Sequence, residues 1–135
     1  MEFGIFNLMG SRDPEKPTAE VFAEVAEQTR LADEFGYAIA WFAEHHFSNY
    51  CLCASPLMLV AHCASITKKI RLGTAVVVLP LYNPARLLAE IAAADALSDG
   101  RLIPASAPAT SPTNSSGSVS ISSKFGDDRG VLRHP

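Results

Sequence analysis

Apolar and polar positions along the chain fall into blocks whose periodicity switches back and forth. Phe3 to Leu8 is a short, mostly apolar run ending near Gly10-Ser11-Arg12-Asp13-Pro14, which predicts a buried strand followed by a loop. From Thr18 the spacing becomes three and four: Phe22, Val25, Ala26, Thr29, Ala32 and Phe35 form a stripe, while Glu20, Glu24, Glu27 and Arg30 lie mostly elsewhere. Thr18 is suited to cap this helix and Gly36 to end it. Tyr37 to Phe42 is apolar throughout and too short for a helix, as expected of a strand covered on both faces. Ser55-Pro56 reads as an N-cap with proline at the first helical position, opening a helix through Leu57, Val60, Ala61 and Ala64 to about Thr67. Ile70 to Leu79, with its run Ala75-Val76-Val77-Val78, predicts a third strand. Asn83-Pro84 repeats the cap-plus-proline device, and Leu87, Leu88, Ile91, Ala94 and Leu97 stripe a third helix up to Gly100. Arg101-Leu102-Ile103 begins a fourth strand.

Strand and helix thus alternate three times at a spacing of roughly 30 to 35 residues, the length of a βαβ unit, which implies parallel strands and right-handed crossovers. The fold class is α/β. A (β/α)₈ barrel and an open doubly wound sheet share this opening, and no Gly-x-Gly-x-x-Gly follows the first strand, which weakens the dinucleotide-binding form of the latter. After Ile103 the text turns to Pro, Ala, Ser and Thr without periodicity, so residues 1–103 are expected to form the domain and 104–135 a disordered tail or linker.

Composition narrows the function classes. The chain has 135 residues, 48% of them hydrophobic, and a net charge of -3 with Lys and Arg scattered, so no basic stripe for nucleic acid is present. No apolar stretch reaches the roughly 20 residues that span a bilayer, and Met1-Glu2 is not followed by a signal-like pattern, so a cytoplasmic protein is expected. Cys51, Cys53 and Cys63 are an odd number in one short region, expected to be reduced thiols.

In either parallel architecture the loops at the carboxyl ends of the strands carry function. Here these are Asn7 to Asp13, Ala43 to Ala54 and Pro80 to Asn83. The middle one begins Ala43-Glu44-His45-His46-Phe47, a carboxylate beside two imidazoles. A histidine there can move protons near neutral pH, with Glu44 orienting it; alternatively the histidines pack under the rim and bond to loop backbone. A zinc site is a rival reading, since His45, His46, Cys51, Cys53, His62 and Cys63 lie close in sequence, but Cys51-Leu52-Cys53 lacks the usual spacing and His62 and Cys63 point apart on a helix. Gly73-Thr74-Ala75-Val76 puts small residues inside a strand, a sign of close approach by a ligand or by another element.

Taken together, Met1-Glu2-Phe3-Gly4-Ile5-Phe6, Phe35-Gly36-Tyr37, Trp41, Glu44-His45-His46-Phe47, Leu72-Gly73-Thr74-Ala75, Leu79-Pro80, Asn83-Pro84 and Ser98-Asp99-Gly100-Arg101 resemble the luciferase-like flavin-dependent monooxygenases over approximately residues 1 to 102. The resemblance implies the N-terminal portion of a (β/α)₈ barrel, about three βα units, with reduced FMN at the carboxyl rim activating O2 to oxidise a small organic substrate such as an aldehyde. Coenzyme F420 is the alternative cofactor in barrels of this kind. By the same resemblance His45 matches a catalytic acid or base with Glu44 and His46 beside it. The Ala75-Val76 peptide matches a non-prolyl cis bond that passes the flavin ring, making Thr74, Ala75, Val76 and Asn7 the candidate cofactor contacts. A flavin reductase partner and an oligomer are compatible with this reading.

A whole barrel takes typically about 250 residues, so the chain is expected to be impaired as an enzyme, with a non-catalytic interaction fragment and a small His/Cys metal-binding protein as alternatives. In another frame, starting from the third base of the Pro104 codon, the tail's codons permit Gly-Val-Gly-Ser-Gly-Tyr, which looks like the family's fourth strand. A one-nucleotide shift near Ile103 is therefore expected.

Overall fold

A computed structural model of the chain describes residues 1–47 and 49–107. Strand β1 (Gly4–Asn7) leads to helix α1 (Thr18–Glu34), β2 (Ile39–Phe42), α2 (Pro56–Ile66), β3 (Arg71–Thr74), β4 (Val77–Val78), α3 (Pro84–Leu97), β5 (Leu102–Ile103) and β6 (Ser106–Ala107). A single 3₁₀ turn, Leu79–Leu81, joins β4 to α3.

The main sheet is parallel, in the order β1-β2-β3-β5. This order separates the two candidate architectures. In a doubly wound sheet the winding reverses beside the first strand, so β1 acquires two neighbours. Here the fourth strand adds next to β3 and the order never reverses, which is how a barrel opens.

One face of the sheet carries the core. Ala40, Phe42 and Leu72 are wholly buried, in one cluster with Val21, Val25 and Ala32 of α1, Leu57, Val60 and Cys63 of α2, and Leu87 and Ala94 of α3. The register aligns Phe6, Trp41, Gly73 and Ile103 on a single row of the opposite face. A Cβ at Gly73 would lie 2.3 Å from Cε3 of Trp41, so the indole lies directly over this glycine.

The helix boundaries follow from local chemistry, with one correction. Thr18 does not cap α1. The cap position falls on Pro17, whose carbonyl accepts from the amides of Glu20 (2.9 Å) and Val21 (3.4 Å), and Thr18 is the first helical residue. At α3 the expected device is present: Asn83 accepts from the amides of Ala85 and Arg86 through its side chain, with Pro84 behind it. Gly36 and Gly100 follow α1 and α3 with positive φ.

The third strand also differs from expectation. The run Ile70 to Leu79 is not one strand: β3 stops at Thr74, the Ala75-Val76 peptide is cis, and β4 pairs with β6 in a separate two-stranded sheet. The hydroxyl of Thr74 donates to the Ala105 carbonyl and accepts from the Ala105 amide, both at 2.8 Å. Ordered strand therefore extends past Ile103 to Ala107. The remainder of the tail lies outside the described residues.

Candidate active site at the carboxyl rim

The loops that leave β1, β2 and β3 are tied together by backbone bonds. Ala43 donates to the Asn7 carbonyl (3.1 Å), Ala75 to Phe42 (2.7 Å), Leu52 to Met9 (3.0 Å) and Ser11 to Asn49 (2.9 Å). Met9 and Phe47, neither of them glycine, hold φ values of 57° and 56° in the left-handed region, a costly conformation that concentrates where a loop is shaped for function.

Within this frame Glu44 is the anchor. Its side chain is wholly buried, with Oε1 2.7 Å from Nε2 of His46 and Oε2 accepting from the Val78 amide at 3.2 Å. One carboxylate thus joins the loop after β2 to β4, two residues beyond the cis peptide. Its histidine partner is His46, not His45. His45 instead stands exposed, its backbone amide donating to the Cys53 carbonyl and its ring edge-on to Tyr50 at a centroid distance of 5.0 Å.

The other sequence-predicted residues occupy the same rim. Asn7 is buried and donates through Nδ2 to the Trp41 carbonyl at 3.3 Å. Thr74 has committed its only proton to Ala105, so its side chain is a bracket within the chain. Ala75 and Val76 remain half-buried between fully buried Thr74 and Val77.

The cysteines are free and buried. Burial pushes the Cys53 thiol up to about 12 and the Cys63 thiol up to about 11, and raises Cys51 as well, so thiolate chemistry at neutral pH is suppressed. Among the described residues no group of three or more His, Cys, Asp or Glu side chains is placed to hold a metal ion.

Sequence reasoning missed Tyr82. Its ring, with His46 and Ser55, lines a groove of about 710 Å³ between α2 and α3, and its hydroxyl is buried. The loop Pro80 to Asn83 was marked as a rim segment, but within it a tyrosine two residues before a helix reads as an ordinary turn residue.

A sequence profile described as luciferase-like monooxygenase matches residues 1–104. The chain belongs to the luciferase-like monooxygenase family. An uncharacterised protein, y4vJ, of Sinorhizobium fredii is 54% identical to this family member over 102 residues, covering 76% of the chain and 29% of the relative. The oxygenase component of the flavin-dependent trigonelline monooxygenase of Acinetobacter baylyi is 34% identical, covering 76% and 28%. Among solved structures, monooxygenase RslO1 from Streptomyces bottropensis superimposes with a TM-score of 0.77 at 31% identity, over 83% of this chain and 34% of that one. The coenzyme F420 dependent tetrahydromethanopterin reductase of Methanopyrus kandleri gives 0.64 at 25% identity, over 81% and 27%. The family member described here therefore spans less than a third of the length of these curated relatives.

Proposed function

We propose that this chain contributes the substrate-facing rim of a two-component flavin-dependent monooxygenase, in which reduced FMN and O2 oxidise a small organic molecule and a separate flavin reductase supplies the reduced cofactor. The observation that carries the reading is that the buried Glu44 carboxylate joins His46 to the segment just after the Ala75-Val76 peptide at the strand ends. The residues present suit a flat aromatic ring. Ala75 and Val76 offer small apolar side chains that stay half-buried while their neighbours are sealed, and a ring lying against them would gain contact without displacing a charge. On this reading Asn7 and the Thr74 backbone are further contacts of the cofactor, and the same surface would accept coenzyme F420 as the alternative.

When bound, the flavin supplies the oxygen activation. The protein's share is to orient, to exclude water and to move a proton. His45 is the proton-transfer group, since it is exposed at the rim while Glu44 and His46 hold its loop from beneath. A cytoplasmic site of action accords with the described residues, none of whose helices is long and apolar enough to cross a membrane.

The alternative outcome is flavin binding without turnover. Oxygen uptake separates the two. The chain is mixed with a flavin reductase, NADH and FMN, and a panel of aldehydes and N-heterocycles is screened for substrate-dependent consumption. Uptake that His45→Ala abolishes supports the monooxygenase; flavin binding with no substrate-dependent uptake supports the binding fragment.

A further inference from the structure

Tyr82 sits where the turn Leu79–Leu81 hands over to α3. Its ring is part-exposed along the α2–α3 groove, yet its hydroxyl oxygen is buried and makes no hydrogen bond to any described residue. Hydroxyls buried without a partner are rare in folded proteins, and each calls for a physical reason. The groups beside this one are the Glu44 carboxylate and Ser55. Burial first, and then the negative charge of Glu44, hold the phenol above its ordinary ionisation range, so at neutral pH it is a proton donor.

Glu44 has use for such a donor. A carboxylate offers about four lone-pair positions, and the contacts already described, His46 Nε2 and the Val78 amide, occupy two of them. A buried phenol that donated to this carboxylate would satisfy both groups at once.

We propose that Tyr82 is a positioning residue of the rim: its buried hydroxyl donates to the Glu44 carboxylate and fixes the orientation in which Glu44 grips His46 and Val78. The inference rests on the reading of this rim as the functional surface and adds to it the residue that sets its shape. Because a carboxylate accepts, His46 carries its neutral-form proton on Nε2 and leaves Nδ1 free as an acceptor.

The test is Tyr82→Phe in the full chain, without flavin, so its outcome is independent of whether flavin binds. Imidazole 15N spectra at a pH where histidines are neutral report the tautomer, and hydrogen exchange reports the Val78 amide. The unaltered chain is expected to show His46 as the Nε2–H tautomer. The variant should show a mixture of tautomers and Val78 exchange about tenfold faster, the loss of one charge-assisted bond. A variant that folds with both signals unchanged overturns the proposal. In the unaltered chain, which does not depend on the variant's folding, a slowly exchanging Tyr82 hydroxyl proton is expected at low field. Its absence also overturns the proposal.

Discussion

At Gly73 the register and the packing make a sharp demand. Any side chain there meets the Trp41 ring at 2.3 Å, so the indole would have to leave its place over the glycine. Gly73→Ala should therefore lower stability by about 1–3 kcal/mol through overpacking, read as a drop in the thermal midpoint; an unchanged midpoint would mean the indole has a second position. Glu44 and His45 should separate in the same assay. Glu44→Ala leaves the Val78 amide and His46 without their buried acceptor, at a cost of about 1–3 kcal/mol. Exposed His45→Ala should shift stability by less than about 0.5 kcal/mol. Equal losses in both would contradict the assignment of Glu44 as anchor. These residues were legible to different degrees. The Glu44-His45-His46 cluster and the small residues at Gly73–Val76 stand out in sequence, because carboxylate, imidazole and glycine are informative types at strand ends. Which histidine Glu44 holds was not legible, since neighbouring residues in a loop have no fixed facing. Tyr82 was hidden because Glu44, the group proposed to take its hydroxyl, lies 38 positions away in sequence.

At the scale of elements, one carboxylate ties α1 to the turn into β3 and one side-chain amide caps α3. Asp33, near the end of α1, accepts the amides of Lys68, Lys69 and Ile70 at 2.7, 2.9 and 2.6 Å, and so fixes the turn into β3. Burial alone would raise its pKa, but the three amides together, with Arg101, outweigh that and hold it below the ordinary 3.8. The folded state then binds fewer protons than the unfolded one. Its contribution is present in full above about pH 4 and is lost as the pH falls through the depressed folded value. Denaturant melts between pH 2 and 6 should show a stability step at the acidic end of this range that Asp33→Asn removes; an unaltered profile in the variant would contradict the role. At α3, Asn83→Ala should cost about 1 kcal/mol by unpairing the Ala85 and Arg86 amides. The elements themselves were largely legible, because their apolar periods are distinct and Asn83-Pro84 and Gly100 punctuate them. The split of the third strand was not. A β-branched run such as Val76-Val77-Val78 announces extended backbone, but it cannot say that β4 leaves β3's sheet to pair with Ser106 and Ala107.

At the scale of the molecule, the unreversed parallel order β1-β2-β3-β5 and the match over residues 1–104 place the chain in the luciferase-like family. The alternation of strand and helix had already limited the choice to two architectures, and only the placement of the fourth strand could decide between them. Among the described residues β1 and β5 each pair on one side, and Phe3, Phe6 and Phe35 are exposed near the β1 edge. Open edges of this kind template further pairing, so sedimentation should show association that grows with concentration and weakens in Phe6→Lys; a strictly monomeric chain at high concentration would contradict this. The central claim, that the carboxyl rim receives a flavin ring, is tested most directly by titrating the chain with FMN while recording amide NMR spectra. The account predicts saturable binding with the largest shifts at Ala75, Val76 and the Glu44–His45 loop. No saturable binding, or shifts confined to residues away from the rim, would contradict it.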